Sequence, residues 1–138
     1  MKILACDPGE TTGLAFFDTL NPGKITTRNC APEQVVFDIH EFGKADVLVV
    51  EKFPPTCEQH LALLYEQIIT YSSADYTVPI VPATWKPIAK ARIKSREWDD
   101  KAPTQHEKDA IHILRFYVEI VLRKKMPKEI EICSLQSA

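Results

Sequence analysis

The run Val47-Leu48-Val49-Val50, set between Ala45-Asp46 and Glu51, constrains this chain more than any other stretch. It is apolar at every position and too short for a helix between its turn signals, so it reads as a buried strand. Ahead of it, residues 32 to 44 place Val35, Val36, Ile39 and Phe42 at helical spacing, and Gly43 supplies a stop. A strand, a crossover helix and a second strand imply a mixed sheet.

The N-terminal third supplies the other strands. Residues 2 to 6 form a short apolar run that stops at Asp7-Pro8-Gly9 and restarts at Gly13-Leu14-Ala15-Phe16-Phe17, the pattern of a β-hairpin. A third strand near Lys24 to Asn29 follows the turn Asn21-Pro22-Gly23. Residues 57 to 72 read as a helix with Leu61, Leu64, Ile68 and Ile69 on one side, and Val78 to Val81 as a strand. Thr84 is expected to cap a short helix, with Pro87 in its first turn. Residues 95 to 103 are expected to be a flexible loop, and Gln105 to about Lys124 the last long helix. Ile130-Glu131-Ile132 adds a terminal strand or stays peripheral. The expectation is an α/β fold with a mixed five-stranded sheet, three antiparallel strands followed by parallel ones, flanked by helices.

At 138 residues with 45% hydrophobic content the chain suits one domain, residues 1–138, with one core. No apolar run approaches the roughly 18 residues that span a bilayer, so no membrane partner and a soluble, cytoplasmic protein are expected. The cysteines at 6, 30, 57 and 133 lack paired spacing, which argues against a zinc knuckle or a disulfide framework and for reduced, mostly buried thiols. The net charge of −2 does not by itself suggest nucleic acid. Its distribution does: Lys86, Lys90, Arg92, Lys94 and Arg96 fall within eleven residues that contain no acid.

The chemistry resides in four residues that are ambiguous singly. Asp7 ends the first strand, where aspartate before Pro-Gly is an ordinary turn residue. Glu51 ends the buried run, where an acid can simply mark the exit to solvent. In the last helix, Thr104 and Glu107 fit a capping box, with Glu107 reaching back to the cap amide. Ala110, Ile113, Leu114, Tyr117 and Val121 make the apolar stripe, with His106 on it and Asp109 at its edge. If the first and fourth strands are neighbours, Asp7 and Glu51 emerge at adjacent ends, and this helix presents His106 and Asp109 opposite them. Three carboxylates and an imidazole suit Mg²⁺ or Mn²⁺, and two such ions roughly 4 Å apart can hydrolyse a phosphodiester without a covalent protein nucleophile. His106 suits either metal ligation or proton transfer.

These residues carry a resemblance. ILACDPGETTGLAFFD at 3–18, VLVVEKF at 47–53 and HEKDAIHIL at 106–114 are similar, in this order, to motifs of the RuvC family of Holliday-junction resolvases, particularly its short phage and bacterial members. The resemblance implies an RNase H-like fold, with Asp7, Glu51 and Asp109 as metal-binding carboxylates and His106 at a position that holds histidine or aspartate in the family. It implies a homodimer in the bacterial or phage-infected cytoplasm that makes paired nicks in four-way DNA junctions and leaves 5′-phosphates. DNA contacts are then expected from Lys52, Phe53, Lys86, Lys90, Arg92, Lys94 and Arg96. The family often has an aromatic residue three positions after the glutamate, whereas Pro54 stands there and Phe53 is the nearest substitute. Trp85 is read either as a base-stacking platform or as a buried anchor.

Two other classes compete. A non-catalytic RNase H-like DNA-binding or scaffold module would keep the hairpin and the basic surface without a working site. An actin-like or sugar-kinase-type ATPase would share the loop Asp7 to Gly13, but those proteins need two such domains.

Overall fold

The computed structural model describes residues 1–135. Strands β1 (Lys2–Asp7), β2 (Thr12–Asp18) and β3 (Lys24–Cys30) form the antiparallel meander, and α1 (Val35–Phe42) crosses over to β4 (Val47–Glu51). Then α2 (Gln59–Ser72), β5 (Tyr76–Ile80), α3 (Pro82–Arg92) and α4 (Gln105–Arg115) follow. The sheet order is β5-β4-β1-β2-β3-β6, in which β6 is the terminal strand Glu131–Leu135, parallel to β3. The mixed sheet therefore has six strands rather than five, because the segment around Ile130 to Ile132 docks on the edge of β3 instead of staying peripheral.

Side-chain alternation sorts the strands between two cores. Ile3, Ala5, Val47 and Val49 pack with Ala110, Ile113 and Leu114 on the α4 side, whereas Leu4, Cys6, Leu48 and Val50 pack with Val35, Ile39, Leu64 and Ile68 under α1 and α2. With a period of two, Asp7 and Glu51 fall on the α4 side. Strand β1 pairs with β4 in parallel, Cys6 opposite Val50, so these two acids emerge at adjacent strand ends.

Several local expectations are corrected. Helix α3 begins at Pro82 with Val81 as its N-cap, because proline at N1 is already set to the helical φ. Thr84 is consequently within the first turn, and Pro87 lies inside the helix rather than at its start. The segment 95–103 is ordered around a 3₁₀ turn, Glu97–Asp100, with Trp98 and Asp99 buried. What holds it is Arg115, only 2% exposed, whose guanidinium donates to both Asp99 oxygens at 2.7 Å, to Glu119 Oε2 at 2.8 Å and to the Lys94 carbonyl at 2.7 Å, and lies over the Trp98 ring. The last helix passes into a π turn at Phe116–Val121, which rotates its face, so Val121 is exposed while Val118 is buried. All four cysteines are free thiols, with Cys6 and Cys30 buried and Cys57 and Cys133 half-buried. Among the described residues no helix is long and apolar enough to cross a membrane.

Candidate active site

The first turn of α4 lies against the start of β2. Gly13 pairs with Asp7 across the hairpin, and a Cβ at Gly13 would meet the His106 carbonyl oxygen at 1.9 Å. Only a glycine admits this approach. It sets His106 beside Asp7, with Nδ1 3.6 Å from Asp7 Oδ2. Asp109, one turn along α4, completes a set: donor atoms of Asp7, His106 and Asp109 all lie within 4.8 Å of one another. All three residues are half-buried, open to solvent on one side.

Glu51 stands beside this group rather than within it. Its Oε2 accepts a hydrogen bond of 2.9 Å from the Trp85 indole N–H, which fixes the carboxylate from the α3 side. Its charge still reaches Asp7. Burial first, then the Glu51 and Asp109 charges, push the Asp7 carboxyl up to about 6, against a partial offset from His106. Concentrated negative charge on oxygen donors beside one imidazole is the environment a divalent cation relieves, so the residues fit such an ion.

Glu107, between His106 and Asp109, is the capping-box acid of the sequence pattern, and its carboxylate turns out to be buried with partners beyond the cap. Thr104 Oγ1 does accept the Glu107 amide at 3.3 Å, as the box requires, but the Glu107 carboxylate is 1% exposed. It accepts from Thr27 Oγ1 of β3 at 2.9 Å, from Thr104 Oγ1 at 2.7 Å and from Ser134 Oγ of β6. The first turn of α4 is thus anchored to two strands. Neither Gly13 nor Glu107 was assigned a role at the site; the only sequence signal was their position within the same short motifs.

The basic residues divide. Lys86 and Lys90 line an open cleft between α3 and α4 that Asp109 also lines. Arg92 and Lys94 are exposed at the end of α3 and just beyond it, and Arg96 is half-buried, its amide held by Asp99. Lys52 and Phe53 lie directly after Glu51, where they line a separate groove with Pro54 and Pro55. Trp85 is 5% exposed and packs on Phe116, which places it as an anchor rather than a stacking platform. A second group of potential ligands, Glu10, Glu58 and His60, is fully on the surface.

The architecture matches solved structures. The RuvC structure from Thermus thermophilus superimposes with a TM-score of 0.55 over 88% of this chain and 97% of that one, at 15% identity. The fold is that of the RuvC-type resolvases. The fowlpox virus Holliday junction resolvase gives a TM-score of 0.54 at 15% identity over 88% of this chain and 99% of its own. The yeast mitochondrial Holliday junction resolvase gives 0.54 at 10% identity, over 83% and 78%. These resolvases share the RNase H-like fold with this chain, as the sequence resemblance implied. No family model and no curated protein matches its sequence.

Proposed function

We propose that this chain, acting as one domain, is a metal-dependent endonuclease that resolves four-way DNA junctions by paired phosphodiester hydrolysis, leaving 5′-phosphates. The observation that carries this reading is the convergence of Asp7, His106 and Asp109, with Glu51 adjacent, at the end of β1. The shared fold of three solved resolvases supports the choice of substrate.

Asp7, Asp109 and His106 would hold Mg²⁺ or Mn²⁺, with Glu51 positioned to serve a second ion. Bound there, the metal supplies an activated water and offsets charge on the phosphate oxygens. The chain's own residues do the rest. Lys86 and Lys90, beside Asp109, hold the backbone electrostatically, and Arg92, Lys94 and Arg96 extend that surface. Lys52 and Phe53, next to Glu51, contact the strand on the other side. The Trp85 N–H restrains the Glu51 carboxylate. His106, 45% exposed at its side chain, can reach both Asp7 and solvent, a position suited to passing a proton as well as to ligation. Paired cuts call for two such sites, so the active species is a homodimer.

The test is to incubate the protein with a labelled four-way junction or a matched duplex in Mg²⁺ or Mn²⁺, beside Asp7→Asn and Asp109→Asn. Symmetric nicks in the junction alone, lost in both variants, are expected. Binding without cutting would leave a scaffold module; neither binding nor cutting would end the nucleic-acid reading.

A further inference from the structure

The cleft between α3 and α4, about 590 Å³, adjoins the ligand cluster through Asp109 and is otherwise lined by residues outside it. Helix α3 contributes Lys86, Ala89 and Lys90 to it, α4 contributes Gln105 and His112, and Ile93 and Ser95 continue the wall between them. Two charged members, Asp99 and Arg115, are satisfied by each other. The remaining chemistry is an apolar floor, two exposed ammonium groups and three side chains able to hydrogen-bond, Ser95, Gln105 and His112.

We propose that this cleft seats one unpaired nucleotide of the cleaved strand, immediately beside the scissile phosphate. The proposal rests on the nuclease reading and adds a specificity site to it. Two observations and one physical principle carry it. The volume falls in the range of single small-ligand sites. Stacked duplex offers a protein only phosphates and base edges, so an apolar-floored hollow of this size is filled by a base only when that base has left its stack. Asp109 belongs both to the cleft wall and to the ligand cluster, so a nucleotide seated here has its phosphate at Asp7, His106 and Asp109. Lys86 and Lys90 then face the anionic backbone, and the base lies against Ala89 and Ile93.

The cleft also touches the machinery. Trp85 lines it and holds Glu51 through its indole N–H, so an occupant packs against the residue that orients the fourth acid. Strands with an unpaired base at the cut are therefore favoured over continuous duplex, by at least about tenfold in kcat/KM, because the duplex must first be unstacked.

The experiment places 2-aminopurine, one position at a time, around the mapped nick of a four-way junction and reads fluorescence on binding by Asp7→Asn protein, which keeps the strand intact. One position next to the nick is expected to respond. Adding Ser95→Trp, which fills the cleft from an exposed position, should abolish that response. In the otherwise unaltered protein it should lower kcat/KM on the junction at least tenfold while the metal-induced thermal shift persists. Ala89→Leu is the second, smaller obstruction and should act in the same direction. The proposal is overturned if no position responds, if both filled variants cut as the parent does, or if a free deoxynucleoside 5′-monophosphate occupies the cleft as well as the strand does. A parent protein that gives the metal-induced shift yet neither binds nor cuts the junction would refute the nuclease reading itself.

Discussion

The main chain of His106 lies against the Cα of Gly13, the residue paired with Asp7 in the hairpin. A methyl group there would sit 1.9 Å from the His106 carbonyl oxygen and 3.0 Å from the Glu107 amide, both backbone atoms that no rotamer change can move aside. Gly13→Ala should therefore push the first turn of α4 off the sheet, at a cost of about 3 kcal/mol or more. Thermal unfolding reads the loss, and a Mn²⁺ titration should show the metal-induced shift weakened beyond what the lower melting temperature explains.

Glu107 should behave as the anchor of the same turn. Alanine there leaves the Thr27, Thr104 and Ser134 hydroxyls without their common acceptor, a destabilisation of about 2 to 4 kcal/mol. Glu107→Gln retains an acceptor oxygen and should cost about half as much. Urea denaturation of the two variants checks the order; equal losses would mean that the ionised carboxylate with both acceptor oxygens, rather than one retained oxygen or the side-chain volume, is what Glu107 contributes.

The Asp7 carboxyl, raised to about 6, gives a pH dependence of definite sign in metal-free protein. Between the unfolded value of 3.8 and about 6 the native state binds more protons than the unfolded one, so this group's contribution falls as pH rises through that window. The span corresponds to about 2 to 3 kcal/mol. Denaturation midpoints across this range should show the decline, and Asp7→Asn should flatten it. Stabilisation by Mg²⁺ or Mn²⁺ should grow over the same pH interval, because cation and proton compete for one carboxylate.

Trp85→Phe keeps most of the buried ring surface but removes the N–H that holds Glu51. Stability should change by less than about 1.5 kcal/mol, whereas the metal-dependent nicking rate should fall about tenfold, the scale of losing one orienting partner. An unchanged rate in a folded variant would show that Glu51 needs no such restraint.

Alanine at Lys86, Lys90, Arg92 and Lys94 together should flatten the salt dependence of junction binding. Four phosphate contacts correspond to a log–log slope of about −3.6. An unchanged slope would remove these side chains from the DNA-contacting surface.

Alternation and periodicity determined a good part of this protein without tertiary information. The parity of Ile3, Ala5 and Asp7, and of Val47, Val49 and Glu51, puts both acids on one face, and the spacing of His106 and Asp109 puts both on one turn of helix. Tertiary packing decided the rest. Glu51 is turned toward Trp85 by a helix 34 residues away in sequence, and the Glu107 carboxylate goes inward because Thr27, 80 residues distant, waits there as a donor. Likewise the 95–103 segment is polar by composition yet ordered, because Arg115 reaches it from inside the fold. A local pattern states which way a side chain faces; the identity of its partner depends on which strands and helices become neighbours, and that is fixed only when the long-range contacts form together.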